Sequence, residues 1–311
     1  MNKINHLVEK LPDFLIIGAG KSGTTSLDNY LKQHPDVFMS PVKEPDFFSY
    51  DRIDISTLDK DALAHYHTSI TKIEDYLTLF KAAKPNQVIG ETSNTYLVIK
   101  GTAETIKDYV PNVKLIAILR QPTERLYSRY LHLARENELP SPHFEDVLDR
   151  NSIWWVRNDL VKEGFYYENL SRYFNLFPKE NIRVYLNEDL KKDSNALMKD
   201  LFEFIGVTPL EGINDSVKYN KSGFIKNKFY DRTLGHNSIL KTAVKKVAPA
   251  SLYNKVKDNI WLQKVVNNLK NRNLEQPKLD KDLHKKITTD IYADDIRQLQ
   301  QLLGRDLSHW L

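Results

Sequence analysis

Lys21 and Glu44 have side chains of the types that bind an anion and accept a proton. Lys21 lies in a glycine-rich stretch that follows the apolar run 14–17 and precedes a helical pattern from Leu27. A strand, a glycine turn and a helix N-terminus form an anion cradle, because backbone N–H groups approach the ligand and the helix dipole favours negative charge. The predicted donors of this cradle are Gly20, Lys21, Ser22, Gly23, Thr24, Thr25 and Ser26.

The cradle is shorter than the Walker A loop, Gly-x4-Gly-Lys-Ser/Thr, that binds nucleoside triphosphates. Gly20-Lys21-Ser22 fits the end of that motif, but Leu15 occupies the position of its first glycine. A purely structural glycine turn is the alternative interpretation. A lysine and four hydroxyls would be superfluous in such a turn.

A second polar group follows 113–119, the clearest predicted strand. Arg120 ends that strand, and Ser128 lies eight residues on, about two turns along the chain at helical spacing, in the helix predicted from Glu124. A guanidinium and a hydroxyl together suit a dianionic phosphate. His132 follows one turn later. Each of these residues alone is more often structural or solvated, so the prediction depends on the whole set.

Alternating apolar strands and helical patterns predict an α/β fold with a P-loop-type central parallel sheet flanked by helices on both faces. Ligands bind such sheets beyond the carboxyl ends of the strands, where the cradle, Glu91 and Arg120 fall. Glu44 lies in a loop, because Pro41 and Pro45 exclude a helix interior. The predicted strands are 14–17, 37–38, 87–91, 113–119 and 182–186. The predicted helices are 57–84, 102–109, 124–138, 144–148, 165–177, 194–205 and 279–303.

The length of 311 residues and the hydrophobic content of 41% predict a single domain over 1–311 with a core of about 11–230. Residues 241–286 hold 12 Lys or Arg and 4 Asp or Glu, a net charge of +8, against −4 for the remainder (33 against 37). We therefore predict a helical basic appendage, about 236–286, near the C-terminus, before a last helix of about 279–303. Its role is either a peripheral membrane contact or a solvated helix pair, and the local basicity does not predict nucleic-acid binding.

The chain contains no cysteine, which excludes disulfides, thiolate metal sites and cysteine nucleophiles. No apolar run approaches the ~20 residues of a membrane-spanning helix. The first ten residues are polar and mixed, unlike a signal peptide. Together these features lead us to expect a cytoplasmic protein without a transmembrane segment.

Four segments together resemble the PAPS-dependent sulfotransferases, where PAPS is 3′-phosphoadenylyl sulfate. The cradle at 18–27 resembles their 5′-phosphosulfate loop. Arg120 and Ser128, within Arg-x-Pro-x-x-Arg-x-x-Ser-x-Tyr, resemble their 3′-phosphate site. The resemblance covers about 11–225 and the last few residues.

The other two segments look most like the heparan sulfate N- and O-sulfotransferase branch and its bacterial relatives. One is His34-Pro35 followed by Lys43-Glu44-Pro45-Asp46-Phe47-Phe48. The other is Leu186-Asn187-Glu188-Asp189-Leu190 with Trp310-Leu311 closing the chain. The resemblance does not extend over 230–285, where that branch carries a disulfide-closed hairpin.

The resemblance implies roles for particular residues. Glu44 matches the general base, His132 matches a histidine that lines the active site, and which of them is the base stays open. Thr92 occupies the position of an acceptor-binding lysine, so that contact is in doubt. Asn220-Lys221-Ser222-Gly223-Phe224 matches a late loop that folds over the nucleotide, and Tyr219 before it is a candidate to flank the acceptor or the adenine.

The implied activity is transfer of a sulfuryl group from PAPS to an acceptor hydroxyl or amine, with release of adenosine 3′,5′-bisphosphate (PAP) and without a metal. The acceptor, a glycan or another small or lipid molecule, is not named by the sequence. One alternative is a P-loop kinase that uses ATP, for which Glu91 is the sole strand-end candidate to hold Mg²⁺. The other is a catalytically inactive nucleotide-binding scaffold, which the presence of Lys21, Glu44, Arg120 and His132 disfavours.

Overall fold

The computed structural model describes residues 11–58, 63–64, 66–136, 138–215, 224–225, 274–275 and 277–311. Its contacts divide the chain into two compact units. The first comprises Met1–Tyr127, Pro140–Asp215 and Asp280–Leu311, and the second comprises Ser128–Leu139 and Ser216–Leu279. Most of the predicted basic appendage lies outside the described residues, and the single-domain interpretation stays a prediction.

A parallel sheet of five strands forms the centre of the first unit, in the order β2-β3-β1-β4-β5. Every residue of β1 is buried, and successive side chains point to opposite faces, so both faces of the sheet are covered at its centre. The predicted α/β fold with a parallel sheet is therefore confirmed. The strands are β1 (Phe14–Gly18), β2 (Val37–Met39), β3 (Val88–Thr92), β4 (Lys114–Leu119) and β5 (Ile182–Leu186).

Helices connect these strands, because parallel neighbours need a crossover connection. They are α1 (Thr24–Leu31), α2 (Ile73–Thr78), α3 (Thr95–Val98), α4 (Thr102–Tyr109), α5 (Pro122–Glu136), α6 (Tyr166–Leu176), α7 (Asn187–Lys192), α8 (Ser194–Ile205), α9 (Lys281–Ile287) and α10 (Ala293–Leu303). Two short antiparallel strands, β6 (Phe224–Ile225) and β7 (Leu274–Glu275), belong to the second unit. Within the part of the chain that the structure describes, no helix is long and apolar enough to cross a bilayer.

The helix predicted for 57–84 is wrong as a continuous element, since among its described residues α-helix occurs only at 63–64, at 66 and in α2. Thr68-Ser69-Ile70-Thr71 explains the interruption, because β-branched and hydroxylated residues disfavour helix. The N–H of Ile70 instead donates to the carbonyl of Pro45 at 2.8 Å. This bond anchors the loop that carries Glu44.

The helix predicted for 279–303 is present but divided. A π-helical turn, Thr288–Tyr292, separates α9 from α10. Thr288 is buried, and its hydroxyl lies 2.9 Å from Gln121 Nε2 and 2.8 Å from Thr123 Oγ1. The widened turn therefore places a hydroxyl against the loop that follows β4.

Gly90 in β3 lies directly under the buried ring of Phe14 in β1, so we expect Gly90→Ala to destabilise the fold. An added Cβ would stand 2.1 Å from the ring carbon Cζ. The expected loss of unfolding free energy is about 1–3 kcal/mol, the usual effect of overpacking, measured by urea denaturation. In a Phe14→Leu background the same change should be less harmful. Equal losses in both backgrounds would contradict the steric explanation.

Candidate active site

The cradle is a sharp turn between β1 and α1 whose backbone is held from several sides. The N–H of Ala19 donates to the carbonyl of Ile118 in β4 at 2.9 Å. Gly23 is the N-cap of α1 at φ 125°, a conformation that favours glycine, and no side chain caps the helix. An uncapped helix N-terminus presents its first N–H groups to an anion.

Asn187, at the end of β5, supports the cradle from the other side. Its amide Nδ2 donates to the carbonyl of Ser22 at 2.6 Å. A Cβ on Gly23 would lie 3.3 Å from the same Nδ2, so a side chain there would also need Asn187 to shift slightly. Sequence reasoning did not assign Asn187 a role, although its position at a strand end was a usable signal.

The loop after β2 brings Glu44 beside the cradle. The N–H of Glu44 donates to the carbonyl of Thr92 at 2.8 Å, which ties the loop to the end of β3. Lys43 Nζ lies 2.9 Å from Thr25 Oγ1 and 3.2 Å from Glu44 Oε1. Asn94 Nδ2 donates to the same Glu44 oxygen at 2.7 Å. A carboxylate, an ammonium group and a cradle hydroxyl therefore form one connected set.

The backbone of this loop adopts an uncommon conformation. Glu44 and Asp46 have φ of 57° and 54°, in the left-handed region that side-chain-bearing residues rarely occupy. Phe47 supports them from the core, where its ring stacks on Tyr76 at 4.4 Å between centroids. Such conformations persist where surrounding packing over-determines them, and they concentrate at functional sites.

Glu91, one residue before the end of β3, is completely buried. Its carboxylate accepts hydrogen bonds from Tyr76 and Tyr96 hydroxyls at 2.9 and 2.6 Å, and from Ser93 Oγ at 3.0 Å. Burial raises the pKa of Glu91 to about 7, although these hydrogen bonds act in the opposite direction. The carboxyl group of Glu91 therefore changes charge near neutral pH.

Arg120 lies at the end of β4, as predicted, with its side chain 26% exposed. Its Nε and Nη2 each lie 3.0 Å from Glu124 Oε2. Tyr166 fixes the backbone here by donating its hydroxyl to the Arg120 carbonyl at 2.8 Å. Burial, and then the charge of Arg120, lowers the pKa of Lys191, so a second basic side chain lies near this strand end.

The C-terminal residues hold the Arg120 loop from behind. Gln121 Nε2 donates to the carbonyl of Trp310 at 3.1 Å, and Gln121 Oε1 accepts from the N–H of Glu124 at 2.7 Å. Trp310 Nε1 in turn donates to Glu188 Oε1 at 2.8 Å. The chain terminus therefore connects the ends of β4 and β5.

Ser128 and His132 lie on α5 in the second unit. His132 Nδ1 is 3.2 Å from Arg135 Nη2, and Arg135 pairs with Glu136 at 2.8 Å. Their predicted roles in phosphate binding and catalysis stay predictions. Tyr219, Lys221, Ser222 and Gly223 lie outside the described residues, and Phe224 is described only as part of β6.

The family model described as "Sulfotransferase domain" matches residues 11–229, more than half of the chain. Human carbohydrate sulfotransferase 15 is 27% identical over 279 residues, covering 72% of this chain and 49% of the relative. Human bifunctional heparan sulfate N-deacetylase/N-sulfotransferase 2 is 25% identical, covering 68% of this chain and 24% of the relative. The chain thus spans about half or less of the length of these relatives.

Among solved structures, a sulfotransferase from Alicyclobacillus acidocaldarius has a similar fold, with a TM-score of 0.66 and 25% sequence identity. The similarity covers 96% of this chain and 98% of that chain. These matches confirm the resemblance noted from the four sequence segments.

We predict that Glu91→Gln removes a pH dependence of stability. Because the pKa of Glu91 is about 7 in the folded protein against an ordinary value of 4.5, the folded state retains this proton more tightly. The contribution of Glu91 to stability should therefore decrease as pH rises from about 4.5 to about 7, by on the order of 3 kcal/mol.

The measurement is the free energy of unfolding of wild type and Glu91→Gln at pH 5 and pH 8. The free energy of unfolding of Glu91→Gln, relative to that of wild type, should be higher at pH 8 than at pH 5. Glu104→Gln, a change of an exposed glutamate on α4, is the control. A wild-type pH profile unaltered by Glu91→Gln would contradict the assignment.

Proposed function

Because the chain belongs to the sulfotransferase family, we propose that it transfers a sulfuryl group from PAPS to a hydroxyl or amine of a carbohydrate. PAPS supplies an activated sulfuryl group, and PAP is the other product. The donor and the acceptor class are inferred from the family and from the printed names of the relatives. The observation that carries the proposal is the connection of Glu44 to the cradle.

Lys43 makes that connection, since its ammonium group bonds both Thr25 on α1 and the Glu44 carboxylate. An anion site thus lies next to a proton acceptor that is 28% exposed and open to an incoming substrate. Acceptor activation and binding of the donor anion need these two groups side by side. A simple nucleotide-binding scaffold has no use for the second group.

In the proposed reaction an acceptor oxygen or nitrogen forms a bond to sulfur while the bond from sulfur to the bridging phosphate oxygen breaks. Glu44 takes the acceptor proton. Lys21 and the N–H groups at the start of α1 stabilise the negative charge that develops on the leaving oxygen. Arg120 is proposed to bind the 3′-phosphate through its guanidinium group.

The kinase alternative requires a strand-end carboxylate that is available to Mg²⁺. Glu91, the residue that the sequence left for this role, is fully buried and hydrogen-bonded to three hydroxyls. Calorimetric titration with PAP and with ATP plus Mg²⁺ separates the two enzymes. A preference for ATP would refute the sulfotransferase proposal.

The acceptor is best identified with ³⁵S-labelled PAPS and a panel of carbohydrates, lipids, small alcohols and tyrosine peptides, with mass spectrometry of the products. Label on a sugar hydroxyl or on a glucosamine nitrogen decides between O- and N-sulfation. Label only on a non-carbohydrate acceptor would refute the acceptor class. The expected cytoplasmic location and peripheral membrane contact stay predictions, which cell fractionation and liposome co-sedimentation would check.

Lys21→Ala should reduce transfer by about 10²–10³-fold, the usual effect of losing one donor that stabilises developing charge. The protein should stay folded, because Lys21 lies in a surface turn. The rate is measured with saturating PAPS, and circular dichroism checks the fold. A reduction below tenfold in the folded variant would refute the role of Lys21.

Glu44→Gln should reduce turnover by about 10²–10⁴-fold, because a positioned base is removed. PAP affinity should change little, since Glu44 is proposed to act on the acceptor. His132→Ala is the matched comparison. If His132→Ala abolishes transfer while Glu44→Gln stays within a few-fold of wild type, then the base is His132.

A further inference from the structure

Arg125 and Glu163 form a buried ion pair that contacts the cradle backbone directly. Their side chains are 0% and 4% exposed. Glu163 Oε1 accepts the N–H of Gly20 at 2.5 Å, and Arg125 Nε donates to the carbonyl of Gly20 at 3.2 Å. Both peptide groups of Gly20 are therefore held by one pair of charged side chains.

The pair is itself fixed in place. Arg125 Nη1 donates to the carbonyl of Leu160 at 2.5 Å, and Nη2 donates to the carbonyl of Asp159 and to Glu163. Glu163 lies in the short 3₁₀ turn Lys162–Gly164. On the far side of that turn, Tyr292 donates its hydroxyl to the carbonyl of Val161 at 3.0 Å.

Burial of an ion pair is unfavourable unless its groups are well bonded, and hydrophobic replacements are often as stable. Stability alone therefore does not account for a charged pair at this position. Its partners are the cradle backbone on one side and the segment 159–163 on the other. This placement indicates a role in holding the cradle in shape.

We propose that Glu163 is a positioning residue that preforms the cradle for the 5′-phosphosulfate group of the donor, with Arg125 as its counter-charge. This inference rests on the proposed function. Since the N–H of Gly20 is committed to Glu163, the donors for the anion begin at Lys21. The charge of Arg125 offsets that of Glu163, so the carboxylate does not repel the donor.

A preformed cradle saves the ordering free energy that binding would otherwise require. Loss of Glu163 should therefore weaken the binding of ligands whose phosphate occupies the cradle. PAP and adenosine 5′-phosphate carry a 5′-phosphate, whereas adenosine 3′-phosphate does not. A general loss of structure would instead weaken all three ligands.

The test compares wild type, Glu163→Gln and Asp159→Asn by calorimetry with these three nucleotides. Asp159→Asn is the matched control, because its carboxylate pairs with Arg157 in the same segment. Glu163→Gln should weaken PAP and adenosine 5′-phosphate on the order of tenfold and leave adenosine 3′-phosphate unchanged. Asp159→Asn should alter none of the three affinities. Equal weakening of all three ligands by Glu163→Gln, or of none, would overturn the proposal.

Hydrogen exchange of the ligand-free protein gives a second readout that does not depend on the donor. Amides of the peptide 18–27 should exchange faster in Glu163→Gln and at the wild-type rate in Asp159→Asn. Unchanged exchange in Glu163→Gln would overturn the positioning role. If wild type fails to bind PAP but the exchange result holds, the proposed function fails and the positioning role survives.

Should Glu163→Gln not fold, Glu163→Asp keeps the charge and withdraws the carboxylate by one methylene from Gly20. The same selective loss of 5′-phosphate affinity is expected from it. A folded Glu163→Asp variant with wild-type affinities for all three nucleotides would overturn the proposal.

Discussion

The candidate site depends on a helix N-terminus that the protein leaves uncapped. Gly23 provides no side chain to the first N–H groups of α1. A capping side chain normally accepts hydrogen bonds from these N–H groups. Without a cap, they remain available to bind an anion. The surrounding turn must then be held by other means. Glu163, Arg125, Asn187 and the carbonyl of Ile118 all bond its backbone.

Three glutamates show how environment decides the role of one side-chain type. Glu163 is buried against Arg125, and its carboxylate accepts a hydrogen bond from the backbone N–H of Gly20. Glu91 is buried among hydroxyls, and burial raises its pKa to about 7. Glu44, the proposed proton acceptor, is partly exposed and bonded to Lys43 and Asn94. The role of a carboxylate can therefore be assigned only when its neighbours in the folded chain are known.

The C-terminal residues contribute to the site although they lie far from the cradle in sequence. The π-helical turn between α9 and α10 directs Thr288 onto the loop that contains Arg120. Arg305 forms two hydrogen bonds, of 2.7 and 2.6 Å, with Asp189 near the end of β5. Because these contacts are bidentate or buried, they orient the strand ends more firmly than exposed pairs would.

The parallel sheet and the cradle were predictable from the amino-acid sequence, because both depend on local patterns. Apolar runs bounded by glycine and proline mark buried strands, and glycines before a helix mark an anion turn. The loop position of Glu44 followed from Pro41 and Pro45, which exclude a helix interior. The helix predicted for 57–84 was wrong as a continuous element, because Thr68-Ser69-Ile70-Thr71 disfavours helix and the N–H of Ile70 donates to the carbonyl of Pro45 instead.

The groups that hold the cradle could be identified only after the chain had been seen folded. Glu163 and Asn187 are 143 and 165 residues away from the glycine and serine they bond. Such pairings have no local signature, since any buried glutamate or asparagine of the right reach would satisfy the same backbone groups. The raised pKa of Glu91 likewise depends on burial among residues from separate elements. Burial and long-range pairing are properties of the packed chain, so they cannot be predicted from periodicity and spacing in the sequence.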